Sequence, residues 1–355
     1  MSTSVPPLPL VIEDLTPEWM TYALTDATGG LAVESVVVEN VIWGSGTKAM
    51  VRVVYSEPPR QGGPPEHLCV KGGFNADLRQ IEAFAQGYQR EVDFYAQLAP
   101  QIDMAVPSCW YAGHDPDLRQ GIVIMDDLGA AGATFGEPTE AWSIDHVASG
   151  LESLAKLHAA TVGATVDRYA WLTPLSPIRL LAELTFLSKA YWDHHFGSSE
   201  APPLPDEFLN RELILSGFKT LWRLEDQATP SISHGDTHIG NTYFDSGGHP
   251  RFLDWQCVCA APPIDDVTYF IGGALTPNDR RIHEQDLLKH YLSAFTAAGG
   301  PDISWDEWWL DYRRHHLHGF LWATTGSASQ PYERVCAMTQ RYVVAMQDHD
   351  TMSLL

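Results

Sequence analysis

The sequence predicts an α+β protein in which a small, strand-rich part precedes a larger, mainly helical part. In the first third of the chain, short runs rich in Val and Ile alternate with Gly and Pro turns, a pattern typical of strands and hairpins. From about residue 142 onward, apolar residues recur every three or four positions, which is typical of amphipathic helices. These two periodicities define the fold class.

The strand-rich part is predicted to hold five strands, of which the first two form a hairpin around a Gly-Ser-Gly turn. The predicted strands are Val33–Trp43, Lys48–Tyr55, His67–Lys71, Ser108–Ala112 and Gly121–Met125. One helix, Asp77–Leu98, is predicted between the third and fourth strands, because its apolar residues form one stripe. The stripe consists of Ile81, Phe84, Tyr88, Val92 and Tyr95.

The helical part is interrupted by one stretch, Ser231–Phe252, of short strand-like runs and loops. The predicted helices are Trp142–Thr161, Ile178–Phe196, Asp206–Asp226, Asp266–Leu275, Asp279–Ala298, Trp305–Thr324 and Tyr332–Gln347. We therefore expect a first lobe over residues 1–125, a linker over 126–132 and a second lobe over 133–355.

Composition excludes several classes of protein. The net charge of −23 argues against a nucleic-acid partner, because a phosphate backbone requires a basic surface. No run approaches the roughly 18 apolar residues that cross a bilayer, and the first residues lack the basic start of a signal peptide. Five cysteines without a disulfide or zinc pattern indicate reduced thiols. We expect a cytoplasmic protein with no membrane partner.

The segment from His234 to Asp254 carries the most chemical information. Asp236 and Asn241 are five positions apart, the Asp-to-Asn spacing of a kinase catalytic loop. Phosphoryl transfer needs a carboxylate that accepts the proton of the attacking hydroxyl, and oxygen ligands for Mg²⁺. The sequence therefore predicts Asp236 as the catalytic base, with Asn241 and Asp254 as the metal ligands.

The motif His234-Gly-Asp236-x-His238-x-x-Asn241, followed by Leu253-Asp254-Trp255, resembles the aminoglycoside phosphotransferase and choline kinase group within the protein-kinase-like fold. The sequence variant found here, HGDTHIGN with DWQ, is most similar to the branch that includes ecdysteroid kinase-like proteins. The resemblance implies a bilobal fold and an ATP- and Mg²⁺-dependent transferase that phosphorylates a small-molecule hydroxyl. The chain has DWQ instead of DFG and no APE segment, which argues against a regulated protein kinase.

A kinase also needs a lysine on its third strand and a glutamate on the next helix. Lys71 ends the predicted third strand, and the following helix offers Glu91 and Glu82. The resemblance favours Glu91, because the family has a glutamate before an aromatic pair at this place. Both Lys71 and Glu91 are then expected to serve ATP binding.

The turn Gly44-Ser45-Gly46 is expected to cover the ATP phosphates with its backbone N–H groups. It departs from the protein-kinase glycine loop, because Met50 or a nearby residue stands where the third glycine is usual. The turn alone is a weak signal, since many hairpins contain such residues.

Ile122–Gly129 resembles the linker whose extended backbone binds adenine. By that resemblance Met125 is the gatekeeper, and Asp126 and Leu128 offer main-chain groups to the nucleotide. We further expect His158 to have a structural role and Asp266 to cap the following helix.

Two other functions stay open at this point. A metal-dependent hydrolase would use His234, Asp236 and His238 as ligands of one metal, although it leaves the Asn spacing unexplained. A nucleotide-binding pseudokinase is disfavoured, because the residues that a kinase needs for ATP and metal are all present.

The resemblance implies that the acceptor binds beside the catalytic segment, in a site formed largely by Trp171–Asp226 and Ser304–Thr325. The twelve tryptophans of the chain favour an apolar or polycyclic alcohol over a polycation, while an antibiotic remains possible as acceptor. The pairs His194-His195 and His315-His316, together with His318, are interpreted as exposed helix surface.

Overall fold

The computed structural model describes residues 6–163, 168–172, 176–327 and 329–355. Positions 1–5, and residues 173–175 of the predicted acceptor region, lie outside the described residues. The chain forms two compact units. The first comprises Met1–Gln101, Val106–Thr134 and Asp254–Gln256; the second comprises Ile102–Ala105, Phe135–Leu253 and Cys257–Leu355. The lobe limits given by the sequence stay a prediction.

The first unit is built on a five-stranded antiparallel sheet with the order β1-β2-β3-β5-β4. Its strands are β1 (Val33–Ile42), β2 (Thr47–Tyr55), β3 (His67–Gly72), β4 (Cys109–Asp115) and β5 (Gln120–Asp126). All five predicted strands are confirmed, including the hairpin. Alternate residues of β2 face the core, where Ala49, Val51 and Val53 are buried.

Helices α1 (Pro17–Ala23) and α2 (Thr25–Thr28) precede the sheet, and Trp19 and Met20 of α1 cover its core. The sequence did not reveal these two helices, since each is shorter than the window in which periodicity shows.

The single helix predicted over Asp77–Leu98 is wrong in one respect, because the structure breaks it. α3 (Ala76–Arg79) ends before Ile81, α4 runs over Glu82–Asp93, and a π-helical turn, Phe94–Leu98, completes it. Ile81 is extended and 41% exposed, so it does not belong to the buried stripe. The break has a physical cause: the Arg79 guanidinium donates to two backbone carbonyl groups outside the helix, which fixes α3 separately from α4.

The second unit is mainly helical. Its helices are α5 (Ile144–Thr161), α6 (Pro177–Leu181), α7 (Lys189–Phe196), α8 (Arg211–Glu225), α9 (Pro263–Ala274), α10 (Pro277–Ala297), α11 (Trp305–His315) and α12 (Tyr332–Asp348). The predicted helix Ile178–Phe196 is divided because the Ser188 hydroxyl accepts the Tyr191 N–H and starts a new helix at Lys189. Every residue of α9 is buried, so α9 is the central helix of this unit. No helix among the described residues is both long and apolar enough to span a membrane.

Short strands complete the structure: β6 (Thr134–Phe135), β7 (Ser231–Ser233), β8 (Thr242–Phe244), β9 (Pro250–Phe252) and β10 (Cys259–Ala261). β7 pairs antiparallel with β10, and β8 pairs antiparallel with β9. The segment from His234 to Asn241 therefore connects two strands that are each held by a partner, which fixes both ends of the predicted catalytic loop.

Candidate active site

In the first unit, the structure brings Lys71, Glu91 and Asp254 together. The Lys71 Nζ lies 2.6 Å from Glu91 Oε2 and 2.7 Å from Asp254 Oδ1, and all three residues are largely shielded from solvent. Glu82, the competing glutamate, instead pairs with Arg119 at the surface. Burial alone would lower the pKa of the Lys71 ammonium, but the two carboxylates raise it, so Lys71 stays charged.

Asp254 is held in an uncommon backbone conformation. Its φ of 68° is in the left-handed region, which costs a non-glycine residue about 1–2 kcal/mol. Lys71 binds one carboxylate oxygen, and Lys48 Nζ lies 3.3 Å from the other. Burial would raise the pKa of Asp254, but the two ammonium groups hold it well below its usual range. Asp254 is therefore an ionised carboxylate.

The residue after Asp254 anchors this turn in the first unit. The Trp255 ring stacks on Phe94 with centroids 3.9 Å apart, and its backbone N–H donates to Glu91 Oε1 at 3.2 Å. Trp255 is fully buried. The Trp of DWQ therefore fills the apolar position directly behind the carboxylate.

The Gly44-Ser45-Gly46 turn joins β1 to β2 beside this cluster. A Cβ on Gly46 would lie 2.6 Å from Lys71 Cε and 3.0 Å from Gln256 Oε1, so only glycine fits without a shift. The Ser45 carbonyl accepts from the Tyr88 hydroxyl at 2.6 Å, and Ser45 Oγ accepts from Gln256 Nε2 at 3.1 Å. The turn is thus fastened directly above Lys71 within the first unit.

Of the predicted adenine-binding residues, Met125 and Asp126 end β5 and Leu128 follows it. Met125 is buried and pairs with Cys69 on one side and Cys109 on the other. The Asp126 carboxylate accepts from Trp110 Nε1 at 2.7 Å, and the Leu128 carbonyl accepts from Ala133 N–H at 2.9 Å. These bonds fix the strand end, and the nucleotide role of the three residues stays a prediction.

In the second unit, the loop after β7 turns sharply at His234 and Gly235. The His234 Nδ1 accepts from the Asp236 N–H at 3.2 Å, so the Nε2 is the nitrogen that donates to the Leu253 carbonyl at 2.9 Å. Gly235 has a φ of 78°, and any Cβ there would collide with the Cys257 carbonyl. Both residues therefore shape the backbone on which Asp236 stands.

Asp236 and Asn241 meet within this loop. Asn241 Nδ2 donates to Asp236 Oδ2 and to the Asp236 carbonyl, both at 2.9 Å. Since the amide nitrogen is used in this way, Oδ1 is the Asn241 atom suited to a cation. Carboxylate and amide oxygens are the ligands that Mg²⁺ prefers, so Asn241 and Asp254 have the right donor chemistry for that ion.

The structure corrects the prediction that Asp266 caps a helix. α9 begins at Pro263, and Asp266 lies inside its first turn, fully buried. Its carboxylate accepts from the N–H groups of His234 at 2.7 Å and Gly235 at 2.9 Å. Asp266 therefore holds the start of the predicted catalytic loop, at His234 and Gly235. Sequence reasoning missed this role because Asp266 is about 30 positions from these residues in the chain.

His158 has the structural position that was expected. It is fully buried on α5, where its Nε2 lies 3.1 Å from Asp266 Oδ2 and its Nδ1 lies 2.8 Å from the Tyr291 hydroxyl. His158 thus links α5 and α10 to the aspartate that holds the loop.

The prediction that the C-terminal histidines form an exposed surface is wrong. His315 and His316 are buried and His318 is largely so, because they turn inward where α11 ends. Of the other pair, His194 is exposed as predicted, whereas His195 is buried against the Ala323 carbonyl at 2.9 Å. Spacing alone did not reveal the inward face, because charged residues surround these positions in the sequence.

One buried trio of metal-ligand type, Glu284, His316 and His349, occurs among the described residues. Arg280 already supplies the cation there, since its guanidinium donates to Glu284 and lies 2.9 Å from His349 Nε2. We therefore interpret this trio as a buried charge network that joins α10 to the end of α12.

The hydrolase hypothesis finds no support in the loop geometry. His234 uses both ring nitrogens in backbone hydrogen bonds. Within the described residues, His234, Asp236 and His238 do not bring three ligand atoms close enough to share a metal. The trio is therefore wrong as a metal site.

A cavity of about 410 Å³ lies in the second unit. Its apolar wall includes Ile178, Trp222 and Leu321, and its acidic wall includes Glu225 and Asp265. His318 Nδ1 lies 3.2 Å from Asp265 Oδ1. Burial would lower the pKa of His318, but Asp265 and Glu225 raise it to about 9. Burial, with the Asp265 charge, raises the pKa of Glu225 to about 8.

With the fold and the two residue clusters described, the comparisons identify the class. The chain belongs to the phosphotransferase enzyme family, whose model matches residues 77–309. It is therefore a phosphotransferase, as the sequence predicted, and the resemblance to this group is confirmed. The narrower likeness to ecdysteroid kinase-like proteins stays a prediction. A search of curated proteins found no significant match.

Several solved structures are similar to this chain. The GDP and kanamycin complex of APH(2")-IIia is 14% identical, with a TM-score of 0.50, over 85% of this chain and 90% of that chain. Choline kinase LicA from Streptococcus pneumoniae is 13% identical, with a TM-score of 0.48, over 89% and 94%. The microcompartment-associated aminopropanol kinase is 13% identical, with a TM-score of 0.49, over 90% and 95%. The first likeness confirms the α+β, protein-kinase-like fold; at this identity it concerns the fold alone.

Proposed function

We propose that the protein transfers the γ-phosphate of ATP to a hydroxyl group of a small molecule. The observation that carries this proposal is the pairing of Asp236 with Asn241 in one turn, because this pairing orients a carboxylate beside an amide oxygen suited to Mg²⁺. The ion triad of Lys71, Glu91 and Asp254 in the first unit supports nucleotide binding in the same way.

In the proposed reaction Asp236 accepts the proton of the acceptor hydroxyl. The hydroxyl oxygen forms the new bond to the γ-phosphorus, the bond from that phosphorus to the β–γ bridging oxygen breaks, and ADP leaves. Lys71 binds the α- and β-phosphates. Asn241 and Asp254 are the residues that would hold Mg²⁺, which would supply neutralisation of the phosphate charge when bound. The turn Gly44-Ser45-Gly46 covers the phosphates with its N–H groups.

Nucleotide recognition is assigned to the end of β5. Met125 borders the adenine pocket, and the main chain of Asp126 and Leu128 binds the base. This assignment rests on the resemblance in sequence and on the fixed geometry of the strand end.

The cavity of the second unit is the proposed acceptor site. Its volume of about 410 Å³ is in the usual range for a small-molecule pocket. The Tyr269 ring lies 4.9 Å from His318, which lines the cavity, and 6.4 Å from His238 of the proposed catalytic loop, so one ring separates the two sites. Trp222 and Leu321 support an acceptor with an apolar or polycyclic body, such as an alcohol or an antibiotic. Glu225 and Asp265 support a polar end that donates hydrogen bonds.

The remaining expectations form part of the same proposal. The strongly acidic chain supports a small-molecule partner over nucleic acid, and a cytoplasmic enzyme has direct access to ATP.

The test is a panel of hydroxyl compounds incubated with Mg-ATP and read by mass spectrometry for the gain of one phosphoryl group. Kanamycin, choline, ethanolamine, aminopropanol, a macrolide and a sterol alcohol cover the classes considered. Asp236→Ala is expected to abolish transfer while ATP binding persists, and Asp306→Ala, at an exposed position, is the matched control. Phosphate appearing only on the protein, or turnover that survives Asp236→Ala, would refute the proposal. ATP binding without any transfer would favour a pseudokinase.

A further inference from the structure

Besides Asn241, a second side chain, that of His238, lies beside the carboxylate of Asp236. His238 Nε2 lies 3.7 Å from Asp236 Oδ2, the oxygen that also accepts from Asn241. The His238 side chain is almost completely buried, while that of Asp236 is about one-fifth exposed. The histidine thus approaches the carboxylate from the protein side.

The hydrogen bonds of His238 determine which of its nitrogens carries a proton. Nδ1 accepts from the Gly240 N–H at 3.1 Å, where it caps the turn Ile239–Asn241. A neutral imidazole that accepts at Nδ1 carries its proton on Nε2. The N–H that faces Asp236 is therefore a donor.

The ring cannot turn away from this position easily. The Trp322 ring meets it edge to face at 5.1 Å, and Trp322 is itself fixed by donating from Nε1 to the Tyr269 hydroxyl at 2.7 Å. On the other side, a Cβ on Gly240 would lie 2.7 Å from His238 Cε1, so this glycine leaves room for the ring. Packing therefore keeps Nε2 beside the Asp236 carboxylate, at 3.7 Å.

We propose that His238 is a positioning residue for the catalytic base, an inference that rests on the proposed function. Asn241 and His238 together fix Oδ2, which leaves Oδ1 of Asp236 to accept from the acceptor hydroxyl. The 3.7 Å separation is longer than a hydrogen bond, and such contacts in ligand-free enzymes commonly shorten when substrate binds. Removing the donor is expected to let the carboxylate rotate out of line, which typically costs about 10- to 100-fold in rate.

Two substitutions separate this role from the structural one. His238→Asn keeps an acceptor at the Nδ1 position, and hence the cap on Gly240, but has no atom that reaches Asp236. His238→Gln places a donor near the Nε2 position but loses the cap. We expect kcat to fall about 10- to 100-fold in His238→Asn, with KM for ATP unchanged, and to be largely retained in His238→Gln. Both variants lose the ring contact with Trp322, and the Gln variant also loses the cap, so the urea midpoint should fall further in the Gln variant than in the Asn variant.

The assay uses the full chain, Mg-ATP and whichever panel compound is phosphorylated fastest, with ATP hydrolysis to water followed in parallel. His249→Gln is the matched control, because His249 is exposed and lies 3.4 Å from another aspartate, Asp245. A purely structural histidine would give the reverse order, with kcat following the urea midpoint, and that order would overturn the proposal.

A spectroscopic measurement keeps the proposal testable if no acceptor is found. Long-range ¹H–¹⁵N NMR of the ligand-free protein, with His238 assigned by its absence in His238→Asn, should show the Nε2–H tautomer and a shift of that proton in Asp236→Asn. An Nδ1–H tautomer, or no shift, would overturn the proposal even if the wild-type enzyme transfers phosphate. An inactive wild-type enzyme with the expected NMR result would count against the proposed function and support the His238 contact.

Discussion

Replacing Asp266 with Asn is expected to loosen the proposed catalytic loop, because the Asp266 carboxylate holds the start of that loop. The carboxylate accepts from His234 N–H at 2.7 Å, Gly235 N–H at 2.9 Å and His158 Nε2 at 3.1 Å. It is buried, so water does not replace a lost partner. The substitution keeps the size and shape of the side chain while exchanging one acceptor oxygen for a donor NH₂ group.

The magnitude follows from the count of partners. The amide oxygen of the substituted side chain can accept from one or two of the three donors. The amide NH₂ group then faces at least one other N–H group, which loses its acceptor. Each hydrogen bond to a charged group contributes about 1.5–3 kcal/mol, and a buried donor left without a partner costs a further 1–3 kcal/mol. We therefore expect Asp266→Asn to lower the free energy of unfolding by about 3 kcal/mol.

The assay is urea unfolding followed by tryptophan fluorescence, together with kcat for the panel acceptor. Because the loop bearing Asp236 is displaced, kcat should fall about 100-fold even at temperatures where the variant is fully folded. Asp306→Asn, at an exposed position in the first turn of α11, is the control and should change stability by less than about 0.5 kcal/mol. An Asp266→Asn variant within 1 kcal/mol and twofold in kcat of the wild type would show that Asp266 does not hold the loop.

Three further predictions concern stability. Lys71→Met leaves the buried Glu91 carboxylate without its cation and Asp254 with Lys48 alone, and should cost about 3–5 kcal/mol. The loss should be partly recovered in Lys71→Met/Glu91→Gln; a lack of recovery in urea unfolding would argue against the triad. Gly46→Ala should lower the free energy of unfolding by about 1–3 kcal/mol, because the new Cβ displaces Lys71. Gly44→Ala should cost less than about 0.5 kcal/mol, because a Cβ there meets no atom within 4 Å. Equal effects of the two changes would contradict the close approach of Gly46 to Lys71. Burial and the Asp265 charge raise the pKa of Glu225 to about 8 in the folded protein. Between about pH 4.5 and 8, the folded protein therefore keeps a proton on Glu225 that the unfolded chain releases. The free energy of unfolding of the wild type should fall as pH rises through this range. Glu225→Gln should therefore be more stable than wild type at pH 8, by on the order of 2–3 kcal/mol, and similar at pH 4.5; parallel pH curves of the two proteins would refute this.

Sequence reasoning worked best where the signal is local. Each strand of the first unit was predicted from a short run of β-branched residues between turns. The pairing of Lys71 with a glutamate of the next helix was predicted from their order along the chain, and the family resemblance selected Glu91. It worked less well for helix ends. The breaks at Ile81 and Ser188 depend on side chains that cap or tie a short segment, and apolar periodicity continues across such breaks.

The burial of the C-terminal histidines was missed for a different reason. His315, His316 and His318 stand among charged residues, and their inward direction is set by the turn after α11 and by acids from other elements. Asp265 and Glu225 are 40 positions apart in the sequence, yet they line one cavity beside His318. The acidic wall of this cavity therefore could not be recognised as a run of acidic residues in the sequence.

The sequence by itself predicted the chemistry proposed for this phosphotransferase, from the spacing of Asp236 and Asn241, the later Asp254, and a lysine and glutamate upstream in the order expected of a kinase. These features depend on residue type and short-range spacing, which can be read directly from the sequence. Only the tertiary structure decided how the proposed base is held, because Asp266 reaches the loop from α9 and the His238 ring beside Asp236 packs against Trp322. Hydrogen bonds and ring contacts between distant segments form only when the chain has folded, and they complete the site.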